Sequence, residues 1–163
     1  MEVYRIVFEK FADKLYAPGF SGRWNFDGEF VIYAAASRSL ASMENMVHKM
    51  GQGILGTRFT VMVLHFPDST AIKTITTQNL PTNWKLASSY AETQPLGSAW
   101  YHAQETLLLK VPSAVVPTEY NYVINARYPD FPQVQIKSRE TFAYDYRFVA
   151  MDKELGLTKK GKI

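Results

Sequence analysis

Arg23, Tyr33 and Glu44 stand ten and eleven residues apart in a chain of 163, each in a different kind of local sequence. Gly22-Arg23-Trp24-Asn25 reads as a loop, Phe30-Val31-Ile32-Tyr33 as a short strand, and Ser39 to His48 as a helix. The three side-chain types divide a chemical task. A guanidinium fork donates two hydrogen bonds to neighbouring anionic oxygens while cancelling their charge. A phenol stacks on a flat ring, and a carboxylate stabilises positive charge that develops beside it. A loop, a strand and a helix in that order can turn all three toward one hollow.

The helix carries the first physical clue. Leu40, Met43, Val47 and Met50 fall at i, i+3, i+7 and i+10, which predicts one apolar face directed at a core. Glu44 lies at the edge of that face, one turn past Leu40. Burying an uncompensated charge is very costly, so a carboxylate there is paired, hydrogen-bonded, lining a cavity, or reaching back to water from the rim.

The elements that must position these residues follow along the chain. Val3 to Phe8 alternates with bulky residues and predicts a first strand carrying Arg5. Phe8, Phe11, Ala12 and Leu15 predict a short helix over 8–15. Ala17-Pro18-Gly19-Phe20-Ser21-Gly22 is turn chemistry, with two glycines that would let the backbone approach a ligand closely. Arg58 to Phe66 is the strongest strand signal, apolar on both faces, as in a strand at the middle of a sheet. Pro67 to Thr70 turns the chain, and 72–75 predicts a returning strand. Trp84 anchors a loop over 80–84. A helix is predicted over 96–104, burying Trp100 and Ala103, and strands over 107–111, 122–125, 134–136 and 142–148. Pro112 ends the first of these strands and places Ser113 at its edge. Short strands with a few helices, and no repeat, heptad or linker, predict one α+β domain.

Composition bounds the function classes. With 47% apolar and 20% charged residues, this is ordinary globular composition. The absence of cysteine excludes disulfides, thiolate chemistry and Cys-based zinc sites. The pI near 9 invites a nucleic-acid reading, yet residues 1–158 hold fifteen Lys or Arg against fifteen Asp or Glu. The net +3 therefore comes from Lys159, Lys160 and Lys162, which predicts a domain over 1–152, a basic tail over 153–163 and no direct nucleic-acid binding. No apolar run approaches the ~20 residues of a membrane span, and Met1-Glu2-Val3-Tyr4-Arg5 is not a secretory leader. A cytoplasmic protein without membrane contact is the expectation.

Two patterns carry less than they first suggest. Gly51-Gln52-Gly53-Ile54-Leu55-Gly56 matches G-x-G-x-x-G, but it follows a helix and precedes a strand, inverting the dinucleotide-binding order. It reads as a helix stop and connection. His48, His65 and His102 lack metal-ligand spacing, so no metal is expected. His48 stands one turn after Glu44, where it is either an orienting partner or a satisfied, half-buried histidine. No G-x-S-x-G elbow supports a Ser/His/Asp triad.

Gly22-Arg23-Trp24-Asn25 with Gly28, Val31-Ile32-Tyr33-Ala34, and Leu40-Ala41-Ser42-Met43-Glu44 with Val47-His48 together resemble the RES domain family, the toxin half of RES–Xre toxin–antitoxin pairs. Val111-Pro112-Ser113-Ala114-Val115-Val116-Pro117, Asn121-Tyr122-Val123-Ile124-Asn125 and Phe142-Ala143-Tyr144-Asp145-Tyr146-Arg147 extend the resemblance over nearly the whole chain. The Arg, Glu and Ser of the family's name have counterparts in Arg23, Glu44 and Ser113.

The resemblance implies a split mixed β-sheet core with surrounding helices, similar to the diphtheria-toxin-like ADP-ribosyltransferases. It implies NAD as substrate, with Arg23, Tyr33 and Glu44 as the catalytic set. Arg23 and then Arg5 would hold the pyrophosphate, Tyr33 would stack on or orient the nicotinamide, and Ser113 and Asn125 would hydrogen-bond ribose or phosphate. Read from the residues alone, Tyr33 is a packing residue and Ser113 a turn residue, and Arg5 is as readily half of an ion pair as a ligand contact. The implied activity is toxin action by NAD degradation through hydrolysis, or through phosphorolysis with inorganic phosphate as co-substrate. A protein ADP-ribosyltransferase and a catalytically silent binding module of the same fold are the alternatives. The implied partner is an Xre-type helix-turn-helix antitoxin that covers the active site.

Overall fold

In the computed structural model residues 1–49 and 57–147 are described. The strands are β1 (Glu2–Phe8), β2 (Val31–Ala35), β3 (Phe59–His65), β4 (Ile72–Thr74), β5 (Leu108–Pro112), β6 (Tyr120–Asn125) and β7 (Gln135–Phe142). The helices are α1 (Arg38–His48) and α2 (Tyr90–Ala103). β3 is buried at every residue but its last, as its two apolar faces require.

All seven strands form one mixed sheet in the order β4-β5-β6-β2-β1-β3-β7, antiparallel except where β4 lies beside β5. The pairing is uneven. β1 follows β3 from Glu2↔His65 to Phe8↔Phe59, and β2 follows β6 from Val31↔Asn125 to Ala35↔Asn121. Between β1 and β2 only Tyr4↔Ala35 pairs. The sheet therefore splits there into two halves, which is the split mixed core that the resemblance implied.

Side-chain alternation along the strands builds a core on each face. Ile32, Ala34, Leu108 and Ile124 join Val3, Met62, Leu64 and Phe66 on one side. Val31, Leu109, Val111 and Val123 pack on the other beneath Trp24, Trp84, Trp100 and Tyr101. Each buried indole removes on the order of 200 Å² from water, which is about 5 kcal/mol. α1 lies against the sheet through Leu40 and Ala41, beside Ala35, Tyr4 and Ile6. Ser37 caps it, accepting from Leu40 N at 3.0 Å.

Four local expectations are revised. The helix over 8–15 is a single 3₁₀ turn, Glu9–Phe11, with Phe11 exposed. The apolar stripe of α1 is not all core: Met43 and Val47 are 39% and 54% exposed, and Val47 borders a hollow. Met50, like the 51–56 glycine pattern, lies outside the described residues. α2 begins at Tyr90 and runs through Pro95, a residue that normally interrupts a helix, with Trp100 buried and Ala103 exposed. Of the strands expected over 134–136 and 142–148, the structure forms one, β7, which spans 135–142 with the polar centre Lys137-Ser138-Arg139-Glu140 of a blunted sheet edge; residues 143–147 are not strand, and 148 lies outside the described residues.

Candidate active site

The Gly22–Asn25 turn is fixed from two sides. Gly22 N donates to Asn25 O at 3.1 Å, and the buried Asn25 carboxamide donates to Phe20 O and Phe26 O, each at 2.9 Å. From α2, Thr93 Oγ1 donates to Arg23 O at 2.7 Å and Gln94 Nε2 to Gly22 O at 2.9 Å. Gly97 lets the helix meet the turn directly, since a Cβ there would sit 1.9 Å from Trp24 O. The buried Glu29 accepts from Phe26 N at 2.8 Å and also from Ser98 Oγ, with His102 Nε2 3.1 Å away.

Tyr33 closes the turn from the sheet. Its hydroxyl donates to Asn25 Oδ1 at 2.8 Å and accepts from Trp24 N at 3.0 Å. Burial pushes the phenol pKa well up, so the hydroxyl stays protonated as a donor. A Cβ at Gly22 would come within 2.7 Å of that oxygen. The close approach this glycine permits in the structure is to Tyr33, and Gly22 also lines the adjoining hollow.

A hollow of about 590 Å³ opens where the sheet splits, within the ~300–1,000 Å³ of small-molecule sites. Arg5, Arg23, Tyr33 and Glu44 all line it, from β1, the turn, β2 and α1 respectively. A smaller hollow of about 180 Å³ lies near Phe66 and Tyr128, and none of the candidate residues lines it.

Glu44 has two unlike oxygens. Oε1 accepts from Ser113 Oγ at 2.7 Å and from Asn121 Nδ2, whereas no hydrogen bond reaches Oε2 among the described residues. Ser113 is fully buried, and its oxygen also accepts from Val115 N at 3.1 Å and Val116 N at 2.9 Å. Its one proton goes to Glu44, so its geometry is that of a residue that orients the carboxylate. Asn121 was missed in the sequence. The sequence signal is weak, because β6 reads Tyr120-Asn121-Tyr122-Val123-Ile124-Asn125 and carries two asparagines; only the pairing of Asn121 with Val111, next to Pro112 and Ser113, sets the first apart.

The two arginines are used differently. Arg5 Nη1 donates to Tyr33 O at 2.8 Å, and none of the ion pairs among the described residues involves it. The ion-pair reading of Arg5 therefore has no partner there. Desolvation lowers its pKa to about 10, which leaves it charged at neutral pH without a counterion. Arg23 turns to the rim, where it donates to Trp84 O, to Leu86 O at 3.1 Å and to Lys85 O at 2.8 Å, with its guanidinium 4.8 Å from the Tyr90 ring centroid.

Asn125 is not brought to the hollow. It is fully buried at the far end of β6, donating to Tyr101 O at 3.1 Å and accepting from Arg127 N at 2.9 Å. Four strand residues, about 13 Å, separate it from Asn121. His48 borders the hollow but is exposed and makes no hydrogen bond to Glu44. No group of three or more metal-ligating side chains occurs among the described residues.

Residues 2–147 match the model of the RES domain. The chain belongs to the RES domain family. It is 35% identical to "Toxin Res" of Yersinia enterocolitica over 153 residues, 90% of this chain and 99% of the relative. It is also 35% identical to the "Prs ADP-ribosylating toxin" of a Sphingobium species over 130 residues, 78% of this chain and 80% of that one. Among solved structures, a chain of the M. tuberculosis MbcT-MbcA toxin-antitoxin complex superimposes with a TM-score of 0.72 at 19% identity, covering 94% of this RES chain and 87% of its own. That likeness bears on the fold. Among the described residues no helix is long and apolar enough to cross a membrane.

Proposed function

We propose that this RES chain is the toxin of a toxin–antitoxin pair and an NAD-consuming enzyme that cleaves the bond between nicotinamide and its ribose. The observation that carries the reading is Glu44, whose Oε1 is held by two donors while Oε2 has none among the described residues, in a hollow also lined by Arg5, which has no ion-pair partner among them. Cleavage leaves an oxocarbenium-like ribose, and a preorganised carboxylate beside it stabilises the developing charge. Nicotinamide departs as a neutral base, so no leaving-group acid is required. Arg5 neutralises the pyrophosphate from the depth of the split. Arg23 fixes the Trp84–Leu86 rim, and Tyr33 forms the wall against which the nicotinamide rests.

NAD degradation, with water or inorganic phosphate as acceptor, is the favoured outcome. Transfer to a protein side chain is the second reading, supported by the name of the Sphingobium relative. An Xre-type antitoxin that covers the hollow is the proposed partner, and the exposed apolar side chains of Phe20 and Val47 at its edge suit such a cover.

The test is NAD loss by the purified chain with and without phosphate, with products separated by chromatography. Free nicotinamide is expected, and a phosphorylated ADP-ribose only in phosphate would select phosphorolysis. Glu44→Gln is expected to lose turnover by ~10³-fold or more while still binding NAD, because its role is in the transition state. Unchanged turnover in that variant would sink the mechanism.

A further inference from the structure

Among the described residues a single buried side-chain polar atom lacks a hydrogen-bond partner, Asn121 Oδ1. Native structures rarely leave such an acceptor unpaired, because its desolvation is then uncompensated. Asn121 lies in the wall of the hollow on β6. Its orientation follows from chemistry: Nδ2 donates to Glu44 Oε1, and exchanging the carboxamide's nitrogen and oxygen would set a carbonyl against a carboxylate. Oδ1 is therefore held as an acceptor. Glu44 Oε2 is the other free acceptor of this pair, and a ligand that satisfies both must bring two donors.

We propose that Asn121 is a specificity residue whose Oδ1 accepts a hydrogen bond from one hydroxyl of the ribose being cleaved, while Glu44 Oε2 holds the neighbouring hydroxyl. The site then selects a sugar with its vicinal diol intact. This rests on the NAD reading, since the ribose carbon that gains positive charge has to lie beside Glu44. A buried acceptor built for a substrate hydroxyl discriminates against an analogue that lacks it, because the acceptor then goes unpaired.

Calorimetric binding to the Glu44→Gln protein, which holds NAD without consuming it, provides the test. The ligands are NAD and its two analogues lacking either the 2′- or the 3′-hydroxyl of the nicotinamide ribose. One analogue is expected to bind ~10-fold or more weakly than NAD to Glu44→Gln. Adding Asn121→Ala brings the ratio to within ~2-fold, the signature of a lost pairwise contact. Asn121→Ser is the second truncation should the alanine variant not fold. A deoxy penalty that persists after truncation, or no penalty in any variant, overturns the contact while leaving the NAD reading intact. Failure of Glu44→Gln itself to bind NAD overturns the NAD reading and this contact with it.

Discussion

Ser113 and Arg5 are where a role in catalysis and a role in the fold separate by measurement. Ser113 spends its proton on Glu44 and its oxygen on two backbone amides, so it has nothing left for a sugar. Ser113→Ala is accordingly expected to slow NAD turnover ~10- to 100-fold through misplacement of the carboxylate, with the dissociation constant for NAD nearly unchanged. A parallel loss of binding would restore the ribose contact that the family resemblance implies. Arg5 presents the reverse case. Its guanidinium is desolvated with no counterion among the described residues, and the charge costs stability that its bond to Tyr33 O only partly offsets. Arg5→Met should leave the melting temperature within a few degrees of wild type, while NAD affinity falls ~10- to 100-fold with the lost charged hydrogen bond. The pH dependence has a definite sign. The group is protonated below about 10, so affinity holds through neutral pH and falls only above that value, and the methionine variant shows no such fall.

At the scale of elements, α2 reaches the hollow only at its rim, through Tyr90, yet it holds the Arg23 turn through Thr93, Gln94 and Gly97. Thr93 and Gln94 hold the carbonyls of Arg23 and Gly22, and Gly97 admits the Trp24 carbonyl at a distance no side chain tolerates. Gly97→Ala should destabilise the protein by ~1–3 kcal/mol in urea unfolding and weaken NAD binding, although Gly97 does not line the hollow. Unchanged stability and affinity would show that the turn has another support. This clamp is invisible in the sequence for a physical reason: a proline normally interrupts a helix, so Pro95 masks the first turns of α2, and a helix-to-turn hydrogen bond has no periodicity. β3 was legible because both of its faces are apolar, and β7 was fragmented because an edge strand keeps polar residues at its centre. Arg23, Tyr33 and Glu44 were legible as loop, strand and helix because each local pattern is strong. Asn121 and Asn125 share a residue type and a strand, and only the pairing of β6 with β2 and β5 places one in the hollow and the other in the core.

For the molecule as a whole, charge and the split sheet make separate predictions. Residues 159–163 lie outside the described structure, and they carry the whole net charge of +3. Deleting them should leave NAD turnover unchanged, whereas a nucleic-acid affinity that falls steeply with salt and vanishes on deletion would revive the basic-domain alternative. The split bears on the proposed substrate. β1 and β2 pair only at Tyr4↔Ala35, and Arg5 spans the gap by donating to Tyr33 O. A ligand held by Arg5 on one half and by Glu44 and Asn121 beside the other would join what the backbone leaves apart. Saturating NAD should therefore slow amide exchange on both β1 and β2 of the Glu44→Gln protein, and at 100 times its dissociation constant add ~2.7 kcal/mol to global stability. Slower exchange on β2 alone would mean that the ligand rests on one half of the sheet, and Arg5 would then be a strut across the split and not a phosphate contact.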